Sequence, residues 1–140
     1  MNKNLLYLLT ILEAVEKIKF YTKDFKDAET FYSANMQKEF NAVLNLLIAI
    51  GEEAKKIENK IRSSEKEIDW ESIVALRNEL SHNYRGVDKD IIWDIIINYL
   101  DPLKKVCIEI VNRIEPDKNI LFEVIGNEYY KNLQFLIKYD

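Results

Sequence analysis

At 140 residues, with 48% hydrophobic and 31% charged side chains, the chain is long enough for one domain with a real core and ordinary in its polarity. A net charge of −4 argues against a general nucleic-acid coat protein, which needs a basic face, but leaves room for a small local basic site. A single cysteine excludes an internal disulfide and fits a reducing compartment. No apolar run nears membrane-spanning length, and Glu13, Glu16 and Lys17 interrupt the first leucines too early for a cleavable leader, so a cytoplasmic protein without membrane association is expected.

Few glycines and prolines among abundant Leu, Ile, Lys and Glu point to helices. Residues 3–22 read as the first, with Leu5, Leu8, Leu9, Leu12, Val15 and Ile18 as its buried stripe and Glu13 and Lys17 paired at i,i+4 on an outer face. Residues 23–34, polar with Phe25, Phe31 and Tyr32, suit a short helix or structured turn. Residues 36–62 give the longest predicted helix, its seam running through Phe40, Val43, Leu47, Ile50, Ala54, Ile57 and Ile61. Gly51 inside that helix costs about 1 kcal/mol relative to Ala, which close packing of a neighbour would explain. Glu52 and Glu53 beside it read most simply as solvent-facing or interface charges, with room for a role at a cleft. Residues 62–66 form a loop.

Asp69 then caps a helix whose apolar face is Ile73, Leu76 and Leu80, with Glu71 suited to its first turn. That helix should fail near His82, because Asn83 tolerates left-handed backbone and Gly86 prefers it. Asp88 caps the next, residues 88–114, with a buried face of Ile92, Ile96, Tyr99, Leu103, Val106, Ile110 and Ile114 and a kink or split near Leu100 caused by Pro102. The tail forms one helix or two short ones around Gly126, its Tyr129, Tyr130, Phe135 and Tyr139 covering an exposed edge. The fold class that uses every stripe is an all-α, antiparallel bundle of four to six helices.

Residues 69–88, DWESIVALRNELSHNYRGVD, hold what chemistry the chain offers. One His and one Cys cannot build the usual zinc sites, Cys107 on an apolar helix reads as core, and neither a phosphate loop nor a dinucleotide-binding glycine motif is present. What remains is Arg77, His82 and Tyr84, with Asn78 and Ser81 alongside and Arg85 and Lys89 nearby. A histidine can take up and return a proton near neutral pH, and an arginine can hold a phosphate bidentately. Metal-free RNA cleavage needs those two functions, because the ribose 2′-OH is itself the nucleophile. Five residues turn an ideal helix by about 140°, so Arg77 and His82 can serve one phosphate only if the helix ends or distorts between them or two chains contribute. The plainer alternatives are a helix-capping role for His82, an ion pair of Arg77 with Glu71 or Glu79, and packing of Tyr84 on Trp93 or the seam.

The run RNELSHNY, residues 77–84, resembles the R-N-x-x-x-H-x-Y motif of HEPN-domain ribonucleases. IGEEAKKI, EIDWESIVALRN, RGVDKDIIWDII and DPLK, in the same order, resemble the HepT subgroup, with Asn83 where that subgroup often has Gly. The resemblance covers residues 5–112. It implies a HEPN-like bundle over residues 1–114, with residues 115–140 a helical extension packed on the same domain. It implies a homodimeric toxin that cuts RNA without a metal or other cofactor, with Arg77 and His82 catalytic and Asn78 supporting. It further implies a minimal nucleotidyltransferase antitoxin that silences the toxin by adding AMP to Tyr84. The rival reading is a non-catalytic helical module that binds a nucleotidyltransferase or a nucleotide.

Overall fold

In the computed structural model, which describes residues 2–137, short polar side chains open five of the helices. Asn2, Asp27, Asp69, Asp88 and Asp117 each accept a hydrogen bond from a backbone amide of the first turn, satisfying donors that have no partner within the helix. The helices are α1 (Lys3–Thr22), α2 (Ala28–Ser33), α3 (Lys38–Lys56), α4 (Asn59–Ser63), α5 (Trp70–His82), α6 (Lys89–Asn98), α7 (Leu100–Ile114) and α8 (Lys118–Ile125). Three 3-10 segments join them, and no strand occurs among the described residues. The five helices of ten residues or more (α1, α3, α5, α6, α7) make the expected all-α bundle. No helix among the described residues is long and apolar enough to cross a membrane.

Helix α3 packs against α1 on one side and α5 on another, while α7 closes on α1 and α6. The predicted stripes form the core: Leu5, Leu8, Leu12, Val15 and Ile18 of α1 meet Val43, Leu44, Leu47, Ile50 and Ala54 of α3, all 5% exposed or less. Gly51 lies where α5 crosses α3. A Cβ at that position would stand 2.3 Å from Cβ of Arg77 and 3.2 Å from the Ile73 carbonyl oxygen, so the missing side chain permits the close approach.

Four expectations need correction. The predicted 36–62 helix starts two residues later and stops at Lys56, because Ile57 turns extended and the Glu58 amide is captured by the Asn4 side chain of α1 at 3.0 Å. The 88–114 segment splits at Tyr99, where Pro102 leads one to expect a break, but Tyr99, expected on the buried face, is exposed at that break; Pro102 falls in the first turn of α7, where its missing donor costs nothing. Glu13 does pair with Lys17, at 3.7 Å, but it is buried rather than on an outer face. The tail covers it: Asn132 of the 3-10 segment Glu128–Leu136 donates to Glu13 at 2.8 Å, and Tyr130 hydrogen-bonds Thr10 at 2.9 Å. Finally, neither Asn83 nor Gly86 is left-handed. Gly86 instead lies against the exposed Asn83 side chain, whose Nδ2 would stand 2.6 Å from a Cβ added there. Of the aromatic tail residues, Tyr129 lies under Lys17 and Phe135 under Lys104, each exposed, whereas Tyr139 lies outside the described residues.

Replacing Gly51 with Ala raises helix propensity by about 1 kcal/mol but forces α3 and α5 apart, with an overpacking cost of about 1–3 kcal/mol. Gly51→Ala is therefore expected to unfold at lower urea concentration than wild type, measured by far-UV circular dichroism.

Candidate active site

Helix α5 begins on Asp69, whose carboxylate accepts from the Ser72 amide at 3.1 Å and the Ser72 hydroxyl at 2.7 Å; these bonds hold its carboxyl below the usual range. Trp70 and Leu80 anchor the helix in the core, with Ile73 and Leu76 half-buried. The helix runs without interruption to His82, so Arg77 and His82 leave its axis in directions about 140° apart.

Arg77 faces α3. Its Nε donates to Oε1 of Glu52 at 2.7 Å, Nη2 donates to the same oxygen, and Nη1 donates to Oδ1 of Asn78 at 2.9 Å. The partner acid is thus Glu52 on a neighbouring helix, not Glu71 or Glu79 on α5. The pair is half-open to solvent, with 28% of the Arg77 side chain and 39% of the Glu52 side chain exposed. Glu53, pointing elsewhere, pairs with Lys56 at 3.2 Å.

His82 is the last residue of α5 and is exposed; no described side chain hydrogen-bonds its ring. Asn83 follows and donates to Glu79 at 3.0 Å, fixing the turn. Tyr84 comes next in a short 3-10 segment, 40% exposed, with its hydroxyl donating to Oδ1 of Asn41 on α3 at 2.8 Å. Partial burial pushes its hydroxyl above the usual range, which keeps it a neutral donor at physiological pH. Lys89, grouped with the histidine by sequence, instead pairs with Glu29 at 3.5 Å. The structure therefore draws α3 into the site through Glu52 and Asn41. Gly51 signals that approach, and the segment IGEEAKKI leaves room for Glu52 at a cleft; nothing local marks Asn41.

The "Ribonuclease HepT-like" family profile matches residues 11–110. The chain belongs to this HepT-like family. It is 33% identical over 100 residues to the "Probable ribonuclease HepT" of Thermococcus cleftensis, covering 70% of this chain and 86% of that one. It is likewise 33% identical over 109 residues to "Putative RNase MJ0127" of Methanocaldococcus jannaschii, covering 78% of this chain and 88% of that protein. A further M. jannaschii relative, "Gamma-glutamylcyclotransferase and putative RNase MJ0434", is 30% identical over 121 residues, and there the chain spans only 53% of the relative's length. No solved structure matches. Arg77, Asn78, His82 and Tyr84 all fall inside the HepT-like span, as do Asn41 and Glu52.

Two other groups carry potentially reactive or metal-binding side chains. Cys107 is fully buried, and burial beside Glu65 pushes its thiol up to about 12. Glu65, Glu67 and Glu109 bring carboxylate oxygens within 4.8 Å of one another, but Arg113 already pairs with Glu65, and carboxylates are the only ligands in that group. With a thiolate fraction of roughly one in 10⁵ at pH 7, Cys107 should not react with a maleimide in the native protein and should label fully in denaturant, read by intact mass. Native labelling at the unfolded rate would contradict this burial.

Proposed function

We propose that this HepT-like ribonuclease chain is a metal-independent RNA endonuclease, the toxin of a HepT and nucleotidyltransferase pair. The observation that carries the reading is His82, an exposed and uncommitted imidazole at the end of the helix that also holds a positioned Arg77 guanidinium. In the proposed reaction a neutral imidazole takes the proton from the ribose 2′-OH, whose oxygen attacks phosphorus. The bond to O5′ breaks, and a protonated imidazole supplies the proton to that leaving oxygen. Arg77 neutralises charge on the phosphorane, and Asn78 steadies Arg77.

One chain supplies a single histidine, and α5 does not bend to bring Arg77 and His82 to the same side. A two-fold homodimer with both α5 ends at one cleft supplies two imidazoles and two guanidinium groups, so the acid and the base come from different chains. Residues 1–114 form the catalytic bundle in this reading, and residues 115–140 are an extension held on it through Glu13 and Thr10. The place of action is the cytoplasm.

Tyr84 is the proposed modification site. Its partly exposed hydroxyl can attack the α-phosphate of ATP, losing its proton and displacing pyrophosphate, when a nucleotidyltransferase antitoxin supplies the nucleotide and a base. An anionic AMP group two residues from His82 would fill the cleft and repel RNA.

Wild type should cleave RNA in excess EDTA, with His82→Ala and Arg77→Ala each slower by roughly 10²–10⁴. Loss of cleavage on chelation, or wild-type rates in the His82 variant, would overturn the nuclease reading. Mixing wild type with His82→Ala tests the shared cleft: a mixed dimer holds a single imidazole and lacks either the acid or the base, so it should cleave nearly as slowly as the variant rather than at half the wild-type rate. With the cognate antitoxin, ATP and magnesium, the chain should gain AMP mass, and Tyr84→Phe should not.

A further inference from the structure

We propose that Glu52 is the positioning residue for the Arg77 guanidinium, holding it so that one chosen edge meets the scissile phosphate. This rests on the reading of Arg77 as the phosphate-binding group. A guanidinium carries five N–H donors. The Nε donor and one Nη2 donor are given to Glu52 Oε1, and one Nη1 donor is given to Asn78 Oδ1. Two donors remain, one on each terminal nitrogen, and in the proposal these are the pair that meets the phosphate. Two parallel donors on one edge match two oxygens of a phosphate.

Gly51 makes this arrangement possible. Any side chain there would push α5 away from α3 and lengthen the reach from Glu52 to Arg77. Glu53 shows that acidity alone does not do this: it sits on the same turn of α3 but pairs with Lys56. The carboxylate has an opposing effect. It adds negative charge beside a site for a polyanion, so it weakens ground-state RNA binding while it fixes the group needed in the transition state.

That opposition gives the test a signature that loss of structure would not produce. Glu52→Ala should lower kcat on a short RNA by roughly tenfold or more, without raising KM. It should also bind a non-cleavable 2′-deoxy analogue at least as tightly as wild type. Glu52→Gln retains an acceptor oxygen and should recover most of kcat, and Glu53→Gln should match wild type. Circular dichroism melts of each variant report the fold. A kcat for Glu52→Ala within twofold of wild type would overturn the proposal. So would a joint loss of kcat, RNA binding and melting temperature that Glu52→Gln does not relieve. If wild type fails to cut RNA, the nuclease reading falls and takes this proposal with it. If wild type cuts and Arg77→Ala does not, an unaffected Glu52→Ala overturns this proposal alone.

Discussion

Two helices approach at Gly51 closely enough that a carboxylate on α3 grips a guanidinium on α5, and the candidate site is arranged around that crossing. A glycine in the middle of a helix is a local loss of about 1 kcal/mol. Here the loss is offset by the α3–α5 packing that the bare position permits, with Ile50 and Ala54 buried on either side of it. An arginine on an open helix face samples many rotamers. One whose stem lies on a glycine, and whose head is held by Glu52 and Asn78, samples few. The same crossing brings Asn41, three turns earlier on α3, against the Tyr84 hydroxyl, so a single helix steadies both ends of the motif.

The second consequence concerns direction. Because α5 is regular through His82, the Arg77 guanidinium and the His82 imidazole diverge within one chain. The turn after His82 could have resolved this by bending the helix early, and it does not. It starts only at Asn83, tied back to Glu79 and tightened by Gly86. The divergence is what a symmetric pair of chains would exploit, since a two-fold axis near the end of α5 turns two outward-facing rings toward each other. Backbone strain lies elsewhere, at the start of α3. Asn35, Met36 and Gln37 are consecutive left-handed residues immediately before α3, a conformation that costs roughly 1–2 kcal/mol each outside glycine. It leaves Met36 96% exposed.

What the sequence discloses and what it withholds follow from the range of the forces. Helix starts at Asp69 and Asp88 are readable because a cap acts within three residues. The extent of α1 is readable because its apolar spacing is unbroken. The division near Leu100 is readable from Pro102 alone. By contrast, α3 ends at Lys56 because Asn4, more than fifty residues away, takes the Glu58 amide; no local residue announces it. Glu13 looks solvent-facing until the tail is laid over it. Gly86 reads as a left-handed glycine, yet its φ is not positive. Within the site, Arg77, His82 and Tyr84 are found from their spacing; Glu52, on another helix, is open in sequence between a surface charge and a cleft role and is separated from Glu53 only by its contact with Arg77, and Asn41 emerges only from its contact with Tyr84.

The acidic balance of the chain bears on how such a site could meet RNA. At physiological salt, charges more than about 8 Å away are largely screened. A net charge of −4 spread over the whole surface is therefore a weak opponent at contact distance, and the groups within reach of the phosphate decide the local field. There Arg77 is offset by Glu52, so the pair is close to neutral. A neutral, rigid pair adds little to the grip on ground-state RNA. In the proposed reaction it would present two donors to the charge that grows as phosphorus becomes five-coordinate. Interactions that strengthen along the reaction raise turnover, whereas those equal in both states only tighten binding. An acidic protein with one restrained arginine therefore suits a catalyst that cuts and releases better than one that coats its substrate.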